Sequence, residues 1–395
     1  MTRRPGLIVA ALGSAQTLAW ASSYYLPAVL ADPIAADLGL PRTAIFAAFS
    51  AALLLSAALG PAVGRAIDRR GGRGVLLLSN LVLAAGLALL AFAHGPIALT
   101  AAWLVLGIGM ALGLYDSAFA ALASLYGENA RGPITGITLI AGFASTVGWP
   151  ASALLAEAMG WRGTCLVWAA LHIAVGLPLN WLLGPGRARL PQARTQERAQ
   201  DAAAPPYAMA LLAFIFATTW FVTSAMAAHL PRLLQIAGAT PAAAIAAAAL
   251  VGPAQVAARL IEFGVLRRFH PIVCARFATL LHPLGAILLA AIGAPAVGGF
   301  AFLHGAGNGM ITIAKGTLPL AIFGPEGYGW RNGLIGAPAR ASQAAAPLLF
   351  GLALDTMGTG VLAISAGLSL TACAALFLLR RRPVAVSAPS ATGDD

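Results

Sequence analysis

Long apolar segments, separated by short polar or Gly/Pro-rich breaks, recur along almost the whole chain. Most are close to the roughly 20 residues that a helix needs to cross a bilayer. The first segment is too long for a signal peptide and is followed by eleven more, so we count it as a helix. The predicted helices, numbered 1 to 12, cover approximately residues 7–31, 42–63, 74–93, 97–126, 133–156, 163–183, 207–230, 241–266, 272–293, 297–323, 332–354 and 359–379.

Composition agrees with a chain whose solvent is mostly lipid. Hydrophobic residues make up 59% of the chain and charged residues only 9%, with a mean hydropathy of +0.84. The formal charge of +11 does not indicate nucleic acid, because the basic residues lie in short runs between apolar segments. There they predict a plasma or inner membrane protein with both termini cytoplasmic, leaving only Arg42, Arg162 and Arg232 outside.

The chain divides around a polar segment that lies between helices 6 and 7. This segment, residues 185–206, contains four arginines and several prolines and predicts a cytoplasmic linker. We therefore expect a six-helix half over residues 1–184, a second over 207–380, and a disordered cytoplasmic tail over 381–395. The three cysteines fall inside apolar segments without metal-ligand spacing, so they predict neither a disulfide nor a zinc site.

The two halves share landmarks at an offset of about 200 residues, as in transporters built from duplicated repeats. Because single matches mean little in an Ala/Gly-rich chain, the common order and near-constant offset carry the argument. The matched landmarks are Trp20 with Trp220, Gly107 and Gly109 with Gly305 and Gly307, Arg131 with Arg331, and Glu157–Gly160 with Asp355–Gly358.

The loop between helices 2 and 3 closely resembles the signature loop of the major facilitator superfamily, G-x-x-x-D-R-x-G-R-R. The loop reads Gly-Arg-Ala-Ile-Asp-Arg-Arg-Gly-Gly-Arg. The resemblance implies a twelve-helix, all-α membrane protein with two pseudo-symmetric halves that latch on the cytoplasmic side. A basic turn that obeys the positive-inside rule is the alternative. The expected latch residues are Gly64, Asp68, Arg69, Gly71 and Arg73, together with Arg131.

Within that superfamily the chain resembles the branch of monocarboxylate transporters and oxalate/formate antiporters. Three stretches carry this resemblance: Arg131–Gly136, Gly160–Arg162 and Ala258–Arg259. In that branch the arginine of helix 8 binds substrate, which Arg259 would match. The chain departs from the animal carriers in helix 1, which has no lysine, and at Gln255, where those carriers have an aspartate.

Charged side chains at membrane depth are costly, so they are usually functional. Counting from the cytoplasmic helix ends at about 1.5 Å per residue places Arg259, Lys315, Arg340 and Asp116 roughly 12 to 16 Å deep. Lys315 is the only lysine and lies one residue from the repeat counterpart of Asp116. Cations outnumber acids, which favours an anionic ligand such as an organic carboxylate.

Each of these charges also has a structural interpretation. Asp116 and Lys315 can form an ion pair that only locks the halves together, and Arg340 can be a further partner for Asp116 or Glu262. Arg259 and Glu262 are three residues apart and can pair along one helix face.

Aromatic residues mark the same region of helices 1 and 7. Trp20, Tyr24 and Tyr25 can close over a ligand or belong to an interfacial belt, and Trp220, as the repeat mate of Trp20, favours the cavity for both tryptophans. His229 and His304 we interpret as packing or hydrogen-bonded residues.

The resulting hypothesis is a secondary active transporter that works by alternating access on a small organic anion, a mono- or dicarboxylate, by proton coupling or exchange. The expected substrate-binding residues are Arg259, Lys315, Arg340, Tyr24, Trp20 and Trp220, with Asp116 or Glu262 as counter-ion or proton carrier. The alternatives are efflux of hydrophobic or cationic compounds, and a non-transporting receptor or scaffold. No motif of an enzyme, nucleotide site, metal site or cofactor is present in the sequence, and we expect a monomer.

Overall fold

The structure is a computed structural model that describes residues 5–184 and 205–379. Both ranges consist of helices and connecting turns, without a β-strand. The predicted tail, and all of the predicted linker except residues 205 and 206, lie outside the described residues.

The helical segments of the described residues group, in chain order, into the twelve helices that the sequence predicts. Helices 1, 4 and 8 are each built from two segments, and helices 5 and 6 follow one another around a glycine. Helices 1 to 4 comprise Pro5–Ser22 with Pro27–Leu38 (helix 1), Arg42–Arg70 (2), Gly72–Ala91 (3) and Pro96–Gly113 with Tyr115–Tyr126 (4). Helices 5 and 6 together comprise Arg131–Ala141, Ala144–Leu171 and Leu177–Trp181, and the turn between them lies within Ala144–Leu171. The remaining helices are Ala208–Ile236 (7), Pro241–Ala249 with Val251–Gly264 (8), Pro271–Ile292 (9), Val297–Phe323 (10), Tyr328–Met357 (11) and Val361–Leu378 (12).

By length and composition alone, seven continuous helical stretches of the described chain could cross a membrane. The longest, Pro96–Trp181, has 86 residues and is far too long for one crossing. Its chain reverses at Gly160, which has a positive φ of 72°. The indole of Trp168 donates to Ser152 Oγ at 3.1 Å, whereas 16 residues of straight helix would separate them by about 24 Å. The seven stretches therefore contain more than seven crossings.

Close helix contacts confirm the internal repeat. A Cβ added to Gly107 of helix 4 would stand 2.5 Å from the carbonyl oxygen of Ala52 in helix 2. A Cβ on Gly305 of helix 10 would stand 2.6 Å from the carbonyl oxygen of Val251 in helix 8. The second glycines behave alike, since Gly109 faces Leu83 of helix 3 and Gly307 faces Ala278 of helix 9.

The two halves meet closely along helices 2 and 11. Gly64 faces the backbone of Gly329, and Gly333 faces the backbone of Gly60, so there is no room for a side chain at these points. Glycine pairs of this kind let helix backbones approach in a membrane. This contact fixes the position of helix 11, which carries much of the site described below.

Several helices extend beyond the predicted apolar runs. Helix 2 continues to Arg70, helix 7 to Ile236 and helix 11 from Tyr328 to Met357. Their ends carry polar or charged residues that a hydropathy criterion leaves out, although the helical hydrogen bonds continue. The predicted boundaries were therefore too short at these ends.

We predict that Gly107→Ala destabilises the protein, because the added methyl overpacks the contact with helix 2. Overpacking of this kind costs roughly 1–3 kcal/mol. Thermal unfolding in detergent should show a lower Tm than for wild type. Gly74→Ala is the matched control, since a Cβ there has no neighbour within 4 Å. An equal Tm for the two variants would contradict the close approach.

Candidate functional site

Asp116, Lys315 and Arg340 form a buried ion cluster that joins the two halves. Lys315 Nζ lies 2.9 Å from Asp116 Oδ1 and 3.2 Å from Oδ2. Arg340 Nη2 pairs with Oδ2, and Asn332 Nδ2 donates to Oδ1 at 3.2 Å. All four residues are buried. One carboxylate thus binds two cations, which leaves the cluster with an excess positive charge.

Local structure explains why the carboxylate of Asp116 is accepted at this depth. Helix 4 breaks at Leu114, and Asp116 lies in the first turn of the following segment, where the helix dipole favours a negative charge. On helix 11, Asn332, Gly336 and Arg340 follow at intervals of four and share one face. A Cβ on Gly336 would lie only 3.1 Å from Asp116 Oδ2. Glycine there leaves room for the carboxylate.

A small cavity opens beside this cluster. Its volume is about 30 Å³, enough for no more than a few water molecules. Helices 1, 2 and 4 of the N-terminal half line one side, and helices 7, 10 and 11 line the other. The lining residues are Trp20, Tyr24, Leu53, Ser56, Met110, Leu114, Tyr115 and Asp116 from the first half, and Trp220, Lys315, Arg340 and Gln343 from the second.

Of the aromatic residues singled out in the sequence, Trp20, Tyr24 and Trp220 line this cavity, whereas Tyr25 does not. The ring centroid of Trp20 is 5.1 Å from that of Tyr24 and 4.9 Å from that of Tyr115. Across the cavity, Lys315 Nζ lies 5.0 Å from the ring centroid of Trp220. Gln343 Nε2 donates to the Tyr24 hydroxyl at 3.1 Å and so connects helix 11 to helix 1.

Three residues of the lining have buried polar atoms without a hydrogen-bond partner among the described residues. These atoms are Trp20 Nε1, Ser56 Oγ and Arg340 Nη1. An indole N–H and a guanidinium N–H can only donate, and a serine hydroxyl can donate or accept. Buried donors without acceptors are costly, so the arrangement is suited to a ligand that supplies acceptor atoms.

Arg259 and Glu262 lie outside this cavity lining. Arg259 donates to the carbonyl oxygens of Gly309 and Thr138 at 3.4 and 3.3 Å, and to Gln255 Oε1 at 3.3 Å. It thereby ties helix 8 to helix 10 and, across the halves, to helix 5. Glu262 Oε2 has no hydrogen-bond partner within the described residues. The possible Arg259–Glu262 pair is not among the ion pairs of the described chain, because the Arg259 N–H groups bind these other acceptors.

Asp68 connects the halves at the predicted cytoplasmic side. Its two carboxylate oxygens each accept a backbone N–H, from Gly329 and Trp330, at 2.8 Å. Helix 11 begins at Tyr328, so these amides belong to its first turn, where a negative charge is stabilised. Gly64 lies one turn away against the backbone of Gly329.

Among the described residues, Arg69, Gly71 and Arg73 make no such bridge, whereas Arg131 interacts with Glu262 and Cys274 of the C-terminal half. Gly71 ends helix 2 with a positive φ of 81°, and Arg69 is exposed. Arg73 stacks over the ring of Trp181, 4.0 Å from its centroid, within the N-terminal half. Arg131 begins helix 5, and its repeat mate Arg331 lies in the first turn of helix 11.

Ion pairs on the opposite side remain within single halves of the described chain. Arg42 pairs with Asp32 at 3.1 Å, Arg162 pairs with Asp37, and Arg232 pairs with Asp355 at 2.6 Å. All six residues are substantially exposed, so these pairs are weak. The charged contact between halves at the membrane surface therefore lies, among these residues, on the side of Asp68.

The structure adds site residues that the sequence argument missed, notably Asn332, Gln343, Tyr115 and Ser56. A signal was available for two of them: Asn332 and Gln343 lie on the same helix face as Arg340, at spacings of eight and three. The two histidines are hydrogen bonded as expected, His229 to the Pro347 carbonyl at 2.7 Å and His304 to His282 at 3.1 Å.

Comparison with known proteins places the fold. The Major Facilitator Superfamily family model matches residues 12–314. An MFS-type efflux pump of Mycolicibacterium smegmatis is 32% identical over 199 residues, which cover 48% of this chain and 44% of the pump. The match thus spans less than half the length of that relative.

Two solved structures share the whole architecture. The human organic anion transporter MFSD10 (TETRAN) superposes with a TM-score of 0.71 at 19% identity, covering 94% of this chain and 98% of that one. The proton:xylose symporter XylE bound to 6-bromo-6-deoxy-D-glucose gives a TM-score of 0.75 at 12% identity, covering 94% of each chain. At these identities the likeness concerns the fold.

We predict that Asp68→Ala loosens the contact between the halves, because the first amides of helix 11 lose their anionic acceptor. Spin labels at the exposed positions Arg70 and Phe269 would report the change as longer distances in pulsed electron resonance. The three native cysteines are buried and should not compete for the label. Arg65→Ala, an exposed change on the same helix, is the control. Identical distance distributions for the two variants would contradict the latch.

Proposed function

The chain belongs to the major facilitator superfamily of membrane transporters, and we propose that it carries a small organic anion by alternating access around the cavity of Lys315 and Arg340. The observation that carries this proposal is the charge and hydrogen-bond balance of the site. Two cations are present for one carboxylate, and three lining residues have polar atoms without a partner. A carboxylate ligand supplies both the missing charge and the missing acceptors.

Asp116 has two parts in this proposal. With no anion bound, its carboxylate pairs with both cations and compensates one of their two charges, which lowers the cost of burying them. When the anion enters, its carboxylate replaces that of Asp116 on Lys315 and Arg340, and the interaction between halves changes. If Asp116 then remains a carboxylate, the protein exchanges anions; if Asp116 takes up a proton, transport is coupled to protons. Glu262 is the second candidate for the proton.

Helix 11 couples the site to the latch in the proposed cycle. The backbone N–H groups of its first turn donate to Asp68. One and three turns further on, Asn332 and Arg340 bind Asp116. A shift of helix 11 that accompanies anion binding would therefore act directly on the Asp68 contact. We propose that the hydrogen bond from Arg259 of helix 8 to the Thr138 carbonyl of helix 5 breaks in the same step.

The proposed placement follows the distribution of the arginines. The loop of Asp68 and both termini would lie in the cytoplasm, in a plasma or inner membrane, with the division near residues 185–206 serving as the linker between halves. The Asp68 contact would then close the cytoplasmic side, and the cavity would next open to the outside.

Efflux of hydrophobic or cationic compounds is a second candidate, favoured by the similarity to the Mycolicibacterium smegmatis efflux pump. The aromatic and aliphatic part of the cavity lining would suit such compounds. The excess positive charge opposes a cationic ligand, so the two candidates predict opposite charge preferences.

We predict that small carboxylates raise the Tm of the purified protein, because a ligand at 100 times its Kd stabilises the folded state by about 2.7 kcal/mol. Lys315→Gln and Arg340→Gln should each abolish this shift. Arg232→Gln, which removes an exposed arginine far from the cavity, should retain it.

The same assay distinguishes the second candidate. A lipophilic cation such as tetraphenylphosphonium should give no shift if the site is selective for anions. Stabilisation by the lipophilic cation, together with no response of the wild-type protein to any carboxylate, would refute the proposal and favour efflux.

A further inference from the structure

The two sides of the cavity differ in chemistry. The side formed by the C-terminal half presents the ammonium of Lys315 and the guanidinium of Arg340. The side formed by the N-terminal half is aromatic and aliphatic apart from Ser56 and Asp116. Its apolar residues are Trp20, Tyr24, Leu53, Met110, Leu114 and Tyr115. A ligand that fits both sides has one anionic end and one apolar end.

The two cations define a single anion position. Both bind the carboxylate of Asp116, Lys315 at both oxygens and Arg340 at Oδ2, so a single carboxylate group satisfies the two cations together. Arg259 is not among the lining residues, and its N–H groups donate to three other acceptors. A second carboxylate on the ligand would face the apolar side without a cation among the lining residues, and an unpaired buried charge is costly.

Aromatic rings flank this anion position from both halves. Trp220 lies under the Lys315 ammonium, at 5.0 Å from ring centroid to Nζ. Trp20, its repeat mate, lies in the opposite half against Tyr115. A flat ring attached to a carboxylate on Lys315 would therefore meet indole and phenol rings, which prefer offset or edge-on contacts with another ring.

Resting on the proposed function, we propose that the transported anion is an aryl monocarboxylate, whose carboxylate binds Lys315 and Arg340 and whose ring lies between Trp220 and the Trp20–Tyr115 pair. The present cavity of about 30 Å³ is too small for such a molecule. For the ligand to enter, the two halves separate, which moves the aromatic residues of the two sides apart. The Asp116 carboxylate then leaves Lys315 and Arg340. Closure around the ring then gives an occluded state.

Calorimetric titration of the purified full-length protein with four acids tests this inference. The acids are benzoate, cyclohexanecarboxylate as a size-matched ring without π electrons, acetate, and terephthalate as a dicarboxylate. We expect benzoate to bind most tightly. Its advantage over cyclohexanecarboxylate should be roughly two- to tenfold, the range of an aromatic pair contact.

A pair of tryptophan variants assigns the effect to the cavity. Trp220→Leu should bring the ratio of benzoate to cyclohexanecarboxylate affinity close to one. Trp181→Leu, which removes an indole that is 59% exposed outside the cavity lining, should leave the ratio as in wild type. Should Trp220→Leu fail to fold, Trp220→Phe keeps a ring and should retain a benzoate preference.

The outcomes separate this inference from the proposed function. If acetate binds as tightly as benzoate, or terephthalate binds more tightly, the anion site stands and the aryl monocarboxylate is refuted. If none of the four acids binds, the proposed function fails as well. The order benzoate, then cyclohexanecarboxylate, then acetate, with terephthalate weaker than benzoate, supports the inference.

Discussion

The buried ion cluster of Asp116, Lys315 and Arg340 holds the two halves of the protein together. Three charges are buried between the halves, and each is tolerable only while the others are present, because an uncompensated charge at this depth is costly. If the halves separate while the site is empty, at least one of these buried charges is left without a partner. A carboxylate from outside removes that constraint, which links binding to movement.

Helix 11 connects this cluster to the contact that closes one side of the protein. The backbone N–H groups of its first turn donate to Asp68, and its glycines pack against helix 2. Asn332 and Arg340, on the same helix, bind Asp116. Since a helix moves largely as one body, the site and the closure share a mechanical element, and differential ligand contact with its two positions would shift the population of states.

Much of the fold could be predicted from the sequence because lipid imposes a length on every apolar segment. The number of helices follows from this, and the landmarks shared at an offset of about 200 residues place Lys315 one residue from the counterpart of Asp116. The helix ends were set too short at Arg70 and Met357, since hydropathy marks the hydrocarbon core and helical hydrogen bonding continues past it.

The candidate site was predictable only in part, because sequence gives depth and spacing but not which face of each helix meets which neighbour. Lys315 and Arg340 reach one carboxylate, whereas Arg259, at similar depth, lies between helices 5 and 10. The carboxylate affinity of Asp116→Asn shows whether Asp116 and the ligand compete for Lys315 and Arg340. We expect tighter binding than in wild type, because the internal competitor for both cations is gone. Weaker or no carboxylate binding in the folded variant would contradict this competition.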